Sequence, residues 1–248
     1  MRINKFPLIS FKAFTLAEVI IVIGIIGIIA EISIPTLIAD FQREISANRL
    51  KEDYSIITQA FKLAEIDNGP SKDWADWNDS YIILKDYLAP NLKYSKIYNK
   101  ADAPTAFKTM CFDSVEQNPV KYINNAQYGW SDKTYISSPF SQNVTSSIKL
   151  ENGTCIGLNG NAESITYPYE IFIDINGSAK GPNRAGFDLF FFTFVDGKIM
   201  PHGYNWLYSS ITSNSINNSC SNSPSYTGGL VCAARIIVYD NWQIKYKY

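Results

Sequence analysis

The stretch FTLAEVIIVIGIIGIIAEISIP, residues 14–35, decides how this chain is read. From Val19 to Ala30 it is unbroken apolar or glycine, and across Phe14–Ile34 only Thr15, Glu18, Glu31 and Ser33 interrupt it. A helix of that length spans about 30 Å, the thickness of one hydrocarbon core. The preceding residues 1–13, MRINKFPLISFKA, carry Arg2, Lys5 and Lys12 and no acid. Such a basic flank holds an N-terminus in the cytoplasm and sends the following chain outward. A cleaved secretory signal calls for a small-x-small site after the apolar run, and Ile28 before Ala30 and Leu37 before Ala39 break that rule. A plain signal anchor leaves Glu18 unexplained, because a carboxylate near hydrocarbon is costly. A buried soluble helix leaves the basic leader unexplained.

Beyond Pro35 the pattern becomes amphipathic. Leu37, Phe41, Ile45, Leu50, Tyr54, Ile57, Phe61 and Ala64 recur mostly at three or four residues, while Arg43, Glu44, Lys51, Glu52 and Lys62 occupy other positions. Asn68-Gly69-Pro70 is a helix stop. The spacing therefore predicts one long helix over 14–67, apolar through residues 14–35 and amphipathic through 36–68. Residues 69–167 read as a loop-rich region with short strands, with a short helix at Tyr81–Tyr87 just after Trp74 and Trp77. Residues 168–248 read as antiparallel sheet. Tyr169–Ile175 and Asp188–Val195 are strands, and Asp196-Gly197 turns the chain into Lys198-Ile199-Met200. Ala233–Tyr239 and Gln243–Tyr246 form a second hairpin around Asp240-Asn241, and the Ser/Asn-rich Ser209–Gly229 is expected as a mobile surface loop. The expectation is an α+β fold, a long N-terminal helix packed on a sheet of about four strands.

The 248 residues carry a formal charge of −1, which gives no electrostatic case for nucleic acid. The cysteines are Cys111, Cys155, Cys220 and Cys232, none in a C-x-x-C pair, and the lone His202 cannot complete a zinc set. An even count of spaced cysteines, beyond an anchor that exports them, points to disulfides. Cys220 and Cys232 would close a short loop and leave Cys111 with Cys155, although the sequence permits three connectivities. The most patterned stretch of this region is DINGSAKGPNRAGFD, Asp174 to Asp188. Asp174, Asn176 and Asp188 supply oxygens of the type calcium prefers. With two carboxylates and no EF-hand spacing, a turn built on Asn176-Gly177 and Gly181-Pro182 is the better reading. His202 reads as a loop residue. The acids of DWADWND, Asp73 to Asp79, read as a solvated loop rather than a paired-carboxylate site. Sequons at Asn143 and Asn152 carry little weight. No P-loop, H-E-x-x-H, G-x-S-x-G or G-x-G-x-x-G is present. Nothing in the sequence calls for a cofactor or catalysis, and calcium at Asp174, Asn176 and Asp188 stays the alternative to the turn.

The segment A-F-T-L-A-E at Ala13–Glu18, set between a basic leader and an apolar helix, resembles the cleavage and methylation motif of type IV prepilins and type II secretion pseudopilins. The resemblance implies a leader at 1–13, cleavage by a prepilin peptidase between Ala13 and Phe14, and N-methylation of Phe14. Glu18 then becomes the fifth residue of the mature chain and Pro35 the twenty-second, where the family has its glutamate and, in many members, a helix-kinking proline. Ala13 stands where the family usually has glycine. The Asp174–Asp188 stretch resembles a signature of C-terminal regions in pseudopilin-like proteins.

The resemblance further implies a single-pass protein of the bacterial cytoplasmic membrane, N-terminus inside and globular domain outside. Its implied partners are the prepilin peptidase, an assembly ATPase and platform protein, and further pilin-like subunits including copies of itself. In the filament, Glu18 of one subunit pairs with the Phe14 amine of its neighbour, and Pro35 kinks or locally melts the helix. Glu31 faces either the interface or a neighbouring subunit. A DNA-uptake or adhesion pilin and a membrane-anchored exported domain are the alternatives from other classes.

Overall fold

A computed structural model describes residues 14–74, 79–99, 144–159, 169–177, 180–195, 197–203, 216, 220 and 229–246. The chain divides into two compact units, Met1–Gln42 and Arg43–Tyr248. The first helix, α1, runs from Leu16 to Asn68, 53 residues, and continues through Pro35. Proline removes a single backbone donor, and beside it the Thr36 hydroxyl donates to the Ser33 carbonyl at 2.8 Å. The stop behaves as its residues dictate: Gly69 takes the left-handed φ of 80°, and the Asn68 side chain donates back to the Ala64 carbonyl at 3.0 Å.

Within the second unit α1 packs through one stripe. Ser46, Ala47, Leu50, Asp53, Ile57, Ala60, Phe61 and Ala64 are buried, at the three-and-four spacing of a helix face. Leu37, Phe41 and Ile45, expected on the same apolar face, are exposed. The stripe faces one antiparallel sheet of six strands in chain order: β1 (Tyr94–Asn99), β2 (Val144–Leu150), β3 (Cys155–Asn159), β4 (Tyr169–Asp174), β5 (Leu189–Val195) and β6 (Lys198–Pro201). The sheet is thus wider than the expected four strands. Its first half comes from β1–β3, which lie within the stretch read as loop-rich. β4 and β5 pair without interruption, Ile171 opposite Phe192 and Ile173 opposite Phe190.

Alternation along β5 sends Phe190, Phe192 and Phe194 into the core shared with α1. Phe191 instead meets Phe172 edge-on, at 5.7 Å between ring centroids. Both faces of this strand are buried, which is why its sequence is an almost continuous apolar run. Aromatic contacts tie the layers together. Tyr54 stacks on Phe192 at 5.4 Å and Phe61 on Phe194 at 4.4 Å, while Trp74 stacks on Tyr87 at 4.3 Å. Tyr87 belongs to the expected short helix, which begins as α2 (Ser80–Ile82) and widens into a π-type turn over Ile83–Leu88.

The C-terminal hairpin is a correction. Cys232–Ala234 (α3) is helical and continues as a π-type turn through Arg235–Tyr239, and Gln243–Tyr246 is not a strand. The β-branched run Ile236-Ile237-Val238 imitates a strand, but Ala233, Ala234 and Ile236 bury a helical face. Asp240 donates its N–H to the Arg235 carbonyl at 2.9 Å, and Asn241 and Trp242 turn the chain with φ of 49° and 61°. The Arg235 guanidinium holds the Asp240 carboxylate at 3.1 Å and the Cys220 carbonyl at 3.1 Å. Cys220 is bridged to Cys232, and Cys155 is also disulfide-bonded. Cys111 and most of Ser209–Gly229 lie outside the described residues.

Phe192, fully buried between α1 and the sheet, sets the first expectation. Phe192→Ala lowers stability by about 3–5 kcal/mol, read as the shift of the urea unfolding curve of the detergent-solubilised chain.

Candidate functional site

Two regions carry the residues singled out by sequence, and they differ in chemistry. The first is the start of α1. Phe14 precedes the helix and is exposed, and large apolar side chains from Leu16 to Phe41 are exposed along it. By length and composition this helix can cross a membrane. Its first turn holds a reciprocal cap: the Thr15 N–H and hydroxyl each donate to Glu18 Oε2 at 2.8 Å, and the Glu18 N–H donates to Thr15 Oγ1 at 3.3 Å. This is a capping box, which satisfies donors that the end of a helix leaves open. The Thr15-x-x-Glu18 spacing announces it in sequence, yet reading Glu18 only as an assembly residue passes over it. Glu31 and Pro35 lie farther along α1, and Ala13 lies outside the described residues.

The second region gathers Asp174, Asn176 and Asp188. Asp174 ends β4 and Asp188 precedes β5, both fully buried. Asp174 Oδ1 accepts the N–H groups of Asn176 at 3.2 Å and Gly177 at 2.9 Å. Asp188 Oδ1 accepts the Arg184 N–H at 2.5 Å, and its Oδ2 accepts the Asn183 N–H at 2.9 Å and the Asn176 amide at 3.4 Å. That amide also donates to the Gly181 carbonyl at 3.1 Å, next to a cis Gly181–Pro182 bond. The two carboxylates therefore shape the loop by accepting its backbone donors. Calcium takes six to eight oxygens. Here both Asp188 oxygens and one of Asp174 already face N–H donors, and no group of three acidic, histidine or cysteine ligands exists among the described residues. The trio shapes a turn, and Asn176 Oδ1 is left buried without a hydrogen-bond partner among the described residues.

A third carboxylate joins this region from α1. Asp53 is buried, with both of its oxygens 2.9 Å from the Thr154 hydroxyl, and it accepts the Asn152 amide at 3.1 Å. Asn152 Oδ1 in turn accepts the Thr154 N–H at 3.0 Å, organising the turn between β2 and β3. Nothing local in the sequence flags Asp53, because its partners lie 99 and 101 residues away. Burial pushes the Asp53 carboxyl up to about 6, against the pull of the Thr154 and Asn152 hydrogen bonds. Burial also raises Asp174, with the charge of Asp188 and a smaller contribution from Asp53 acting in the same sense. Asp188 is raised by burial, opposed by the Arg184 and Asn183 N–H groups.

The remaining candidates are dispersed. The His202 N–H donates to the Phe191 carbonyl at 3.0 Å just past β6, and burial lowers its imidazole. Asp79 caps α2 by accepting the Tyr81 N–H at 2.8 Å. Asp73 sits in a short 3-10 turn, while residues 75–78 and Asn143 lie outside the described residues. Residues 36–248 match a family described as a family of unknown function (DUF6613), and the chain belongs to that family. No curated protein and no solved structure matches it.

The turn geometry makes Gly177 hard to replace. Its φ is 77°, and an added Cβ would lie 2.7 Å from the Gly153 carbonyl oxygen. Gly177→Ala is expected to lower stability by at least about 1 kcal/mol, measured as a fall in the thermal midpoint.

Proposed function

We propose that this chain is a pilin-like structural subunit of a type II secretion pseudopilus or a related type IV pilus-like filament. In this reading it is made as a precursor in the bacterial cytoplasmic membrane, with its N-terminus inside. A prepilin peptidase cuts it between Ala13 and Phe14, Phe14 is N-methylated, and α1 then drives assembly with other pilin-like subunits on a platform protein. The observation that carries the reading is the first turn of α1. A single carboxylate, Glu18, stands at the head of a helix whose large apolar side chains are exposed from Leu16 to Phe41.

Such a surface is unstable in water and calls for lipid or like helices. A carboxylate within it needs a cation, and the amine freed on Phe14 of a neighbouring subunit provides one. The Thr15–Glu18 cap supports the same reading, because it gives the carboxylate hydrogen-bond donors within its own chain while it waits. Gly24 and Gly27 leave open space beside the helix, where a neighbour can approach its backbone.

Intact-mass and N-terminal peptide spectrometry of the membrane-extracted protein, with and without a co-expressed prepilin peptidase, tests the processing. The expected outcome is a peptidase-dependent chain starting at Phe14 and heavier by one methyl group. A chain starting at Met1 in both conditions overturns it. Glu18→Ala is expected to leave membrane insertion intact and to abolish filaments in sheared fractions; normal filaments from that variant would sink the pairing.

A further inference from the structure

We propose that Asn152 is a self-modifying site: the Gly153 backbone nitrogen closes on the Asn152 side-chain carbonyl carbon, ammonia leaves, and water opens the resulting succinimide to an aspartyl or isoaspartyl residue. Four Asn-Gly pairs occur in the chain, and Asn159-Gly160 reaches outside the described residues. The other three sit in unlike surroundings. The Asn68 amide donates back to the Ala64 carbonyl at 3.0 Å, which draws its side chain toward the preceding helical turn and away from the Gly69 nitrogen. The Asn176 amide is held by the Gly181 carbonyl and Asp188, and the buried Gly177 gives its N–H to Asp174 Oδ1 at 2.9 Å.

Asn152 is exposed, and its Oδ1 accepts the Thr154 N–H at 3.0 Å. That bond folds the side chain forward across the Gly153 amide. It also polarises the carbonyl under attack and faces the negative charge that builds on its oxygen. The nitrogen that must leave lies 3.1 Å from Asp53 Oδ1. Gly153 has a φ of 95°, and nothing lies within 4 Å of the place a Cβ would take, so no side chain crowds that side of the turn. Attack requires the Gly153 N–H to leave the Leu150 carbonyl, now 3.1 Å away, an opening that a short exposed turn undergoes readily.

Water is the only outside reagent. Cyclisation breaks the bond from Cγ to Nδ2 and forms one from Cγ to the Gly153 nitrogen, whose proton departs with the amide nitrogen as ammonia. Hydrolysis at either succinimide carbonyl then reopens the ring, leaving the free carboxyl on the side chain or on the backbone carbon. The product reverses a contact of the fold. Where the amide donated to Asp53, the aspartyl form presents a second carboxylate to it, at the junction of α1 with the β2–β3 turn. The isoaspartyl form lengthens the backbone of the turn by a methylene. Either change is one-way and loosens α1 from that turn. Asn152 belongs to the second unit, so its chemistry is independent of the filament reading.

Incubation of the full chain in detergent micelles, in warm and mildly alkaline buffer, followed by peptide mass spectrometry of its Asn-Gly pairs, tests the site. Asn152 is expected to gain the amide-to-acid mass at least about tenfold faster than Asn68 or Asn176, the rate equivalent of one well-placed hydrogen bond. Asn152→Gln keeps an amide on a longer side chain and is expected to lose the gain at that position. Asn152→Asp makes the product directly and is expected to lower the thermal midpoint by about 2–4 °C. Should that variant fail to fold, the aged unsubstituted chain must show a lower midpoint than the fresh one. Equal conversion at the three pairs, or faster conversion at Asn68, overturns the site. An Asn152→Asp chain as stable as the original overturns the loosening of the junction.

Discussion

Phe192 of β5 lies against Tyr54 of α1 with ring centroids 5.4 Å apart, and about two helical turns farther along α1 Phe61 meets Phe194 at 4.4 Å. These two contacts run along the seam where the buried stripe of α1 meets the sheet, and the surrounding elements are arranged about it. β4 is held in register by pairing with β5. Trp74 extends the stack from Phe61 to Tyr87 and so places α2 over the same core. Trp242 closes on Tyr54 from the C-terminal segment, at 5.7 Å. Aromatic side chains bury large areas and favour offset or tilted contacts, so a few of them can connect a helix, a sheet and two short helical segments.

The same helix carries two unlike surfaces. Between Arg43 and Asn68 its apolar stripe is spent within the fold, against partners the chain itself provides. From Leu16 to Phe41 its large apolar side chains are exposed, while the polar groups at its start are provided for, Thr15 and Glu18 capping each other. A helix end is satisfied locally because its open donors are backbone groups one turn away. An apolar surface has no local remedy and requires a second phase or a second molecule. The contrast between a satisfied end and an unsatisfied flank underlies the proposal that α1 serves first as an anchor and then as a filament core.

The buried carboxylates of the second unit follow the opposite rule, being provided with hydrogen-bond donors. Asp174 and Asp188 accept backbone donors of the loop between β4 and β5, and Asp53 accepts from a turn on the far side of the helix packing. Such arrangements specify one loop conformation where apolar packing alone would tolerate several. They also bring carboxylates into the interior, where burial raises Asp53, Asp174 and Asp188 above the usual carboxyl range.

The sequence by itself determined everything whose cause is local. The extent of α1 and its stop at Asn68-Gly69 came from periodicity and one left-handed glycine. The β5–β6 hairpin came from an apolar run and a turn, and the loop of Asp174 to Asp188 from its turn residues. The likeness of Ala13–Glu18 to a prepilin motif was equally plain. Tertiary structure alone decided the rest. β1 and β2, YSKIYN and VTSSIKL, are half-polar and become strands through their neighbours in the sheet, since pairing rather than composition defines them, and in β2 even Ser146 and Ser147 are buried. Arg235–Tyr239 has the β-branched composition of a strand. It is instead drawn into a helical turn by the burial of Ala233, Ala234 and Ile236, by the Cys220–Cys232 bridge and by the Arg235–Asp240 pair. Asp53 looks like one more exposed acid on an amphipathic helix. Its burial was decided by Thr154 and Asn152, about a hundred residues away in sequence, because only a folded chain can bring a hydrogen-bonding partner to an acid that no local pattern protects.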